Sequence, residues 1–275
     1  MEYHDVLCAV REKAPLIQCI TNFVTVNDCA NILLAAGATP TMAQDAREVE
    51  EAVEGANGLV CNLGAIDFVD SMILAGKKAN ELGIPVVLDP VAAGGTELRR
   101  QLSAKLMEEV RFAAIRGNAS EIRALAGEMS RGSGVDVSAL DTITPENLSS
   151  SVELISDLAK KTGAVIAVSG VIDVVSDGTK TVLLHNGCAT MARITGSGCM
   201  LTTLIGGFCA AAPQHPFEAV CAAMAVMGIC GEIAEEKRLQ NKTGNATFRT
   251  NLIDAVFNLT EQELKERIRY EVYQG

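Results

Sequence analysis

Several features are scarce or missing in this sequence of 275 residues, and each absence argues against a class of protein. Tryptophan is absent and aromatic residues make up only 4% of the chain, which argues against a surface that stacks on nucleic-acid bases. Lys and Arg number 23 against 34 Asp and Glu, a formal charge of −11, whereas contact with a phosphate backbone needs a basic surface. We therefore expect no nucleic-acid partner.

Signals for export or membrane insertion are also missing. The first residues carry charges in place of a basic stretch followed by an apolar one, so we expect no export signal. The longest apolar runs are 199–213 and 220–231. They are too short, or too often interrupted by glycine, to supply the ~20 apolar residues that span a bilayer. We expect buried helices there and no membrane partner.

The cysteines show neither a C-x-x-C pair nor a histidine spaced to complete a zinc site. Their number, nine, is odd. We therefore expect reduced thiols, most of them buried as small hydrophobic side chains, in a cytoplasmic protein. They are Cys8, Cys19, Cys29, Cys61, Cys188, Cys199, Cys209, Cys221 and Cys230.

Apolar segments alternate with amphipathic ones, which predicts an α/β fold. The continuous apolar character of the predicted strands is typical of a parallel sheet that is buried on both faces. We predict a three-layer α/β/α architecture, a mostly parallel central sheet, an antiparallel edge hairpin at 173–185 around an Asp-Gly turn, and a single domain over residues 1–275. The other predicted strands span 16–21, 58–64, 85–89, 112–118 and 164–170, with a short segment at 39–43.

The predicted helices include 26–37 and 67–82, each ended by a glycine, and a charged helix at 45–54. The last third of the chain, 195–259, is expected to be mainly helical, followed by a solvated helix at 261–269. Residues 127–144 are rich in Gly, Ser and Asp without periodicity, and we interpret them as an exposed excursion.

The sharpest motif is Thr195-Gly196-Ser197-Gly198-Cys199, directly before an apolar helix. Two glycines allow a nest of backbone N–H groups at a helix N-terminus, which favours a phosphate. The motif lacks the lysine of a P-loop and the third glycine of a dinucleotide fingerprint. A glycine-rich turn before a core helix is the alternative interpretation.

Polar residues also follow the predicted strands, where ligands bind in doubly wound folds. Asp89 is suited to a metal–phosphate group or to a plain turn. Asn118 and Glu121 have the spacing of a helix capping box. Arg116 ends an apolar strand, where a guanidinium needs an anion such as a nucleotide phosphate, and Ser169 ends another strand.

These residues resemble a family over nearly the whole chain, the hydroxyethylthiazole kinases of the ribokinase-like superfamily. The resemblance implies a thiamine-salvage enzyme that converts ATP and 4-methyl-5-(2-hydroxyethyl)thiazole into the thiazole phosphate and ADP with Mg²⁺. It also implies a homotrimer with active sites between subunits. The matching motifs are Cys19-Ile20-Thr21-Asn22, Leu88-Asp89-Pro90-Val91, Ile115-Arg116-Gly117-Asn118 with Glu121, Val168-Ser169-Gly170 with Asp173, and Thr195-Gly196-Ser197-Gly198-Cys199.

The resemblance implies roles for individual residues by position. For ATP it implies contacts from Arg116 and Ser169, with Asn118 shaping the phosphate site while capping its helix. For magnesium it implies Asp89 and Glu121, partly through water, because Mg²⁺ gives up its hydration shell reluctantly. For the thiazole pocket it implies Asn22, Met42 and Gly196, with Val24 and Gly64 as further candidates.

Cys199 stands where relatives in the wider superfamily place an aspartate as the base for the accepting hydroxyl. A helix N-terminus lowers the pKa of a thiol, so part of Cys199 is expected as thiolate, although a nearby γ-phosphate opposes that lowering. Our hypothesis is that Cys199 orients the hydroxyl and accepts its proton late. Covalent catalysis is the alternative, and the sequence places no histidine visibly to activate it.

Three other functions stay open at this point. A sibling kinase for a pyrimidine alcohol or a sugar would share the anion nest and the carboxylates, and would differ near Asn22 and Met42. A non-catalytic binder of thiazole or nucleotide is suggested by the missing aspartate at position 199. A metal-independent hydrolase fits least well, because the sequence lacks a G-x-S-x-G elbow.

Overall fold

The computed structural model describes residues 1–127 and 142–274, and the strands within those ranges form one sheet. The strands are β1 (Leu16–Ile20), β2 (Thr39–Thr41), β3 (Gly58–Asn62), β4 (Val86–Asp89), β5 (Ala114–Asn118), β6 (Val165–Ser169), β7 (Asp173–Ser176), β8 (Thr181–Leu184) and β9 (Tyr270–Val272). Their spatial order is β2-β1-β3-β4-β5-β6-β7-β8-β9.

The helices of the described ranges are α1 (Tyr3–Lys13), α2 (Val26–Ala36), α3 (Val49–Glu54), α4 (Val69–Leu82), α5 (Glu97–Glu109), α6 (Ala119–Leu125), α7 (Leu148–Thr162), α8 (Ser197–Ala211), α9 (Pro216–Asn241), α10 (Asn245–Asn258) and α11 (Glu261–Arg267). Short 3-10 helices span Ile66–Phe68 and Ala189–Arg193. Gly37 and Gly83 end α2 and α4 in left-handed conformations, as expected from the sequence.

Helices cover both faces of the sheet. α1, α2 and α8 to α11 pack on one face, and α3 to α7 pack on the other. Neighbouring residues of β3 alternate between the two cores, with Val60 in the first and Leu59 and Cys61 in the second. The continuous apolar runs are therefore a consequence of burial on both faces, and the predicted three-layer α/β/α fold is confirmed.

The sheet is parallel from β2 to β6 and antiparallel from β6 to β9. The predicted hairpin is present as β7 and β8, closed at Asp177, whose carboxylate accepts the backbone N–H of Thr179 at 2.8 Å. The hairpin is not the edge, however, because β9 pairs with β8 outside it. The sequence pattern missed β9, since three exposed residues beside a charged helix give no strand signal, and the predicted helix at 261–269 ends at Arg267.

Two other local predictions need correction. The charged helix expected at 45–54 begins only at Val49, because the Asp45 side chain accepts the backbone N–H of Arg47 at 2.9 Å and holds the preceding residues in a turn. The sequence analysis also missed α1, which packs against α8, α9 and α11. The predicted excursion at 127–144 falls largely on residues 128–141, which lie outside the described residues.

The apolar runs of the last third form α8 and the part of α9 up to Ala234, and most of their residues are buried. By length and composition α9 is the one helix in the described ranges that has the character of a membrane span, and 83% of its most apolar window is buried inside the protein. A buried core helix passes the same test of length and apolarity. The prediction of buried helices is therefore confirmed for these runs.

The carboxyl ends of the parallel strands meet along one edge of the sheet. Asn62, Asp89, Asn118 and Ser169 are the last residues of β3, β4, β5 and β6. Helix α8 begins at this edge, where Gly198 in its first turn approaches the side chain of Arg116 from β5. Polar side chains from distant parts of the chain are thus brought to one place.

Candidate active site

Helix α8 begins in a tight turn. Gly196 adopts a left-handed conformation with φ of 83°, and a Cβ there would lie 2.6 Å from Thr25 Cγ2. A Cβ at Gly198 would collide with the Arg116 guanidinium. Within the described part of the chain no side chain caps this helix, so its first N–H groups remain available to an anion. The predicted turn before a core helix is present, and its geometry also suits the anion interpretation.

On one side of this turn, polar side chains from β3, β4 and α8 hydrogen-bond to one another. Asn62 Nδ2 donates to Asp89 Oδ2 at 2.9 Å, and Thr202 Oγ1 donates to the same oxygen at 2.9 Å. Asn22 Nδ2 donates to Asn62 Oδ1 at 3.1 Å and to Cys199 Sγ at 3.5 Å. These five residues, Asn22, Asn62, Asp89, Cys199 and Thr202, are called the amide–carboxylate cluster below.

Asp89 is buried at the centre of the amide–carboxylate cluster. Burial raises the pKa of its carboxyl to about 6, the Arg116 charge opposes that rise, and the Glu121 charge adds to it. Hydrogen bonds from Thr202 and Cys199 lower the pKa in turn. The charged form of Asp89 is therefore disfavoured by burial and by the nearby Glu121 carboxylate, and favoured by Arg116 and the hydrogen bonds.

Cys199 differs from the expectation of a partly ionised thiol. Burial raises the pKa of Cys199 above its usual value, and the Asp89 charge raises it further, whereas hydrogen bonds from Thr25, Asn62 and Asn22 lower it. The predicted lowering at the helix N-terminus is thus wrong, because burial outweighs the other influences. Cys199 is a neutral thiol in this setting.

Glu121 and Asn118 form the capping box expected from their spacing. Asn118 Oδ1 accepts the Glu121 backbone N–H at 2.9 Å, and Glu121 Oε2 accepts the Asn118 backbone N–H at 2.8 Å. Glu121 Oε1 also accepts the N–H of Ala92, in the loop after β4, at 2.9 Å. Glu121 therefore ties the loops after β4 and β5 together while staying close enough to Asp89 to affect its pKa.

On the other side of the turn, Arg116 is buried at 9% exposure. It donates a hydrogen bond to the Ser169 hydroxyl, while its Nε has no hydrogen-bond partner among the described residues. Asp173 lies nearby and accepts the backbone N–H of Gly170 at 2.8 Å. Burial raises the pKa of Asp173 to about 7, although that N–H and the Arg116 charge lower it. The Arg116 guanidinium thus keeps its Nε–H donor available for a further acceptor.

A cavity of about 580 Å³ opens beside Arg116. Its lining includes Arg116, Ser169, Asp173, Ser197 and Gly198, together with apolar groups such as Met224 and Met227. A second cavity, of about 500 Å³, lies among α5, α6 and α7 and contains none of the predicted site residues. The cavity beside Arg116 is therefore the one that adjoins the predicted site residues, and its size suits a large ligand.

The residues predicted for the thiazole pocket are partly brought together. A Cβ at Gly64 would lie 2.9 Å from Asn22 Nδ2, and Val24, half exposed at 56%, donates its N–H to Asn22 Oδ1 at 3.1 Å. Gly196 contacts Thr25, which follows Val24. Met42 follows β2 and packs against the core on the α8 face, without a hydrogen bond or close glycine contact to Asn22 in the described structure.

The chain is similar to known proteins over nearly its whole length. A profile of the Hydroxyethylthiazole kinase family matches residues 7–262. Hydroxyethylthiazole kinase of Clostridium acetobutylicum is 46% identical over 266 residues, covering 96% of this chain and 97% of that protein. The chain belongs to the hydroxyethylthiazole kinase family. The resemblance seen in the sequence motifs is therefore confirmed.

Structural similarity agrees with membership of the hydroxyethylthiazole kinase family. The structure of the hydroxyethylthiazole kinase protein from Pyrococcus horikoshii OT3 matches with a TM-score of 0.86 at 34% identity, covering 99% of each chain. A ribokinase-like superfamily protein from Enterococcus faecalis V583 matches with a TM-score of 0.59 at 12% identity, covering 94% of this chain and 95% of that one. That second likeness concerns the fold alone, and it confirms the ribokinase-like architecture.

Sequence reasoning gave no site role to three residues of this candidate site. Asn62 is the last residue of β3, but the predicted strand extended to residue 64, so the strand-end rule that selected Asp89 did not select Asn62. Thr202 lies one turn into α8, where a threonine in an apolar helix gives no functional signal. Asp173 was part of a matching motif, but its burial beside Arg116 depends on how β6 and β7 pair.

Proposed function

We propose that this chain transfers the γ-phosphoryl group of ATP to the hydroxyl of 4-methyl-5-(2-hydroxyethyl)thiazole, giving the thiazole phosphate and ADP in thiamine salvage. The observation that carries the proposal is the buried Arg116 guanidinium, whose Nε lacks a described partner and which lies against Gly198 in the wall of the large cavity. A buried guanidinium donor without an acceptor is costly, and a phosphate oxygen would supply that acceptor.

The ATP phosphates bind, in this proposal, between Arg116, Ser169 and the first N–H groups of α8. The Arg116 charge and these N–H groups neutralise the negative charge that builds up during transfer. Asn118 keeps its capping role and shapes the phosphate site through the loop that Glu121 holds. Local positive groups matter here, because the net charge of −11 repels ATP at long range.

The thiazole binds on the side of the amide–carboxylate cluster. Asn22, Gly64 and Gly196 line its pocket, and Val24 and Met42 add apolar contacts. Cys199 contacts the accepting hydroxyl and orients it, since Asn22 fixes the sulfur. A neutral thiol is a weak base, and this is tolerable because phosphoryl transfer depends mainly on positioning and charge neutralisation, so the proton can leave late.

The carboxylates Asp89 and Glu121 suit Mg²⁺. Hard cations prefer carboxylate oxygens, and the effect of Glu121 on the Asp89 pKa means that a cation between them would relieve repulsion. The described residues contain no group of three or more metal-ligating side chains, which suits an ion that keeps waters and takes phosphate oxygens. When bound, Mg²⁺ would neutralise phosphate charge. Glu121 already accepts two backbone N–H groups, so it would act through water.

The protein is proposed to act in the cytoplasm as a homotrimer with active sites between subunits, each chain forming a single domain. Phe23 is 91% exposed and Val24 is 56% exposed, directly beside Asn22. Exposed apolar side chains next to a binding site are suited to a neighbouring subunit that completes the pocket. Sedimentation analysis of the wild type and of Phe23→Asp would test this assembly.

The decisive experiment is ADP release by the purified protein with Mg·ATP and one of three acceptors, hydroxyethylthiazole, hydroxymethylpyrimidine or ribose, or with no acceptor. ADP formed only with hydroxyethylthiazole is the expected result. ADP formed with another acceptor instead would assign the chain to a sibling activity. Thermal stabilisation by the thiazole without ADP would overturn the catalytic proposal in favour of binding alone, a function compatible with the raised pKa of Cys199.

A further inference from the structure

The loop after β8 lines the large cavity, and its position depends on a carboxylate in α9. His185, Asn186 and Gly187 all line this cavity. Glu232 of α9 accepts the Gly187 backbone N–H at 2.8 Å, and its two carboxylate oxygens accept Asn186 Nδ2 at 3.3 and 3.2 Å. The loop is therefore tied to α9 by its backbone and by a side chain at once.

The same loop is tied to the C-terminal segment. Arg269, between α11 and β9, donates to Glu232 Oε1 at 2.5 Å and to the His185 carbonyl at 2.8 Å. Its backbone N–H donates to Asn186 Oδ1 at 2.8 Å. Asn186 in turn donates to the carbonyl of Arg267 at 3.0 Å. Glu232, Asn186 and Arg269 thus form one connected group, called the C-terminal clamp below.

Close packing leaves the loop little room to adjust. A Cβ at Gly228 would lie 2.8 Å from Asn186 Cβ, and one at Gly231 would lie 2.6 Å from Met191 Sδ. Asn186 is only 8% exposed, so its amide depends on the clamp for hydrogen bonds. If the clamp opens, the loop backbone has to move, and a wall of the cavity moves with it.

We propose that Glu232 and Arg269 are positioning residues for the nucleotide, which set the affinity for ATP by holding the loop at 185–187 in place. The inference rests on the proposed use of this cavity for ATP. Neither residue lines the cavity, and neither shares a described hydrogen bond with the amide–carboxylate cluster. Loss of the clamp therefore weakens nucleotide binding and leaves thiazole binding and the transfer step intact.

The test compares Arg269→Ala and Glu232→Gln with the matched control Arg267→Ala. Arg267 lies two residues away and pairs with Glu236 at 3.0 Å on the surface, and its substitution keeps the carbonyl that Asn186 needs. The measurements are the Kd of ADP by calorimetry, kcat, and KM for ATP and for hydroxyethylthiazole, below the melting temperature of every variant.

We expect Arg269→Ala and Glu232→Gln to raise the Kd of ADP and the KM for ATP by about tenfold, since charge-assisted hydrogen bonds are lost. The kcat and the KM for hydroxyethylthiazole should stay within about twofold, Arg269→Lys should recover part of the loss, and Arg267→Ala should match the wild type. ADP binding tests the clamp even where no acceptor is phosphorylated, so failure of the proposed function is recognised separately.

Three results would overturn the inference. Unchanged ADP binding in Arg269→Ala and Glu232→Gln would show that the clamp does not set the cavity wall. Equal losses in kcat and in both KM values, or the same loss in Arg267→Ala, would indicate a general structural defect. A wild type that binds no ADP would remove the basis of the inference altogether.

Discussion

The two sides of the α8 N-terminus are built in opposite ways. On the side proposed to bind the thiazole, the amide–carboxylate cluster is closed, with Asp89 receiving hydrogen bonds from both Asn62 and Thr202. On the side proposed to bind the nucleotide, which is open, Arg116 has a donor without a described partner and faces a large cavity. A small neutral substrate needs a fixed frame around one hydroxyl, whereas a large anion supplies the missing acceptors itself.

Replacing Asp89, at the centre of the closed amide–carboxylate cluster, should have the largest effect on activity. Asp89→Asn removes the buried charge while keeping the side-chain shape, so we expect kcat to fall by about 10³-fold, as when a charge-stabilising group is lost. Steady-state kinetics with saturating Mg·ATP measures this, and Thr202→Val is the control that removes the hydroxyl bonded to Asp89 and to the Gly198 carbonyl while keeping the Asp89 charge. A kcat within tenfold of the wild type would contradict the role of Asp89.

Replacing Arg116, the cation on the side proposed to bind the nucleotide, should have the next largest effect on activity. Arg116→Lys keeps a positive charge but loses the planar fork, so kcat/KM for ATP should fall by about 10²-fold. Arg47→Lys, at an exposed surface arginine, serves as the control. If Arg116→Lys were as active as Arg47→Lys, recognition of phosphate by Arg116 would be ruled out.

The close contact between Gly198, in the first turn of α8, and Arg116 can be disturbed by adding a methyl group at Gly198. Gly198→Ala places a methyl group where the Arg116 guanidinium now lies, so the guanidinium has to shift and KM for ATP should rise by about tenfold. Gly55→Ala is the control, since a Cβ there meets no atom within 4 Å. ADP affinity by calorimetry should follow the same order, and equal affinities in both variants would argue against close packing at Gly198.

Variants of Cys199 test the side proposed to bind the thiazole. In the proposal, Cys199 acts by orienting the accepting hydroxyl more than by acting as a base. Cys199→Ser should keep activity within about tenfold and mainly raise KM for the thiazole, because a hydroxyl accepts the Asn22 hydrogen bond. Cys199→Asp should also remain active. Complete loss of activity in a folded Cys199→Asp that still binds both substrates would exclude carboxylate-equivalent chemistry at this position.

The smallest expected effect concerns stability and pH. The folded-state pKa of Asp173 is raised to about 7, so its contribution to stability is full below its unfolded pKa and is lost as pH rises through 7. Asp173→Asn mimics the protonated form and should melt above the wild type, by more at pH 8 than at pH 5. Thermal unfolding of both proteins at both pH values tests this, and a pH-independent difference would contradict it.

Much of the fold could be predicted because burial on both faces leaves a continuous apolar pattern in each central strand. Strand ends then indicated Asp89 and Ser169, which the structure places near the N-terminus of α8 together with Arg116. Arg116 was expected to end its strand as well, but it is the middle residue of β5, which continues to Asn118. The missed features depend on tertiary contacts. The three-residue β9 exists because β8 offers an edge, and the raised pKa of Cys199 follows from burial that a motif does not reveal.

Helix α1 has a consequence for how the chain folds as it is made. Its buried residues include Val6, Leu7 and Val10, and the helix packs against α8, α9 and α11, which are synthesised last. On the ribosome, the apolar face of this amphipathic helix therefore lacks most of its partner surface until the segment after Ser197 has emerged. We expect nascent chains that end before α8 to bind holdase chaperones through their first residues, and release to coincide with synthesis of the C-terminal third.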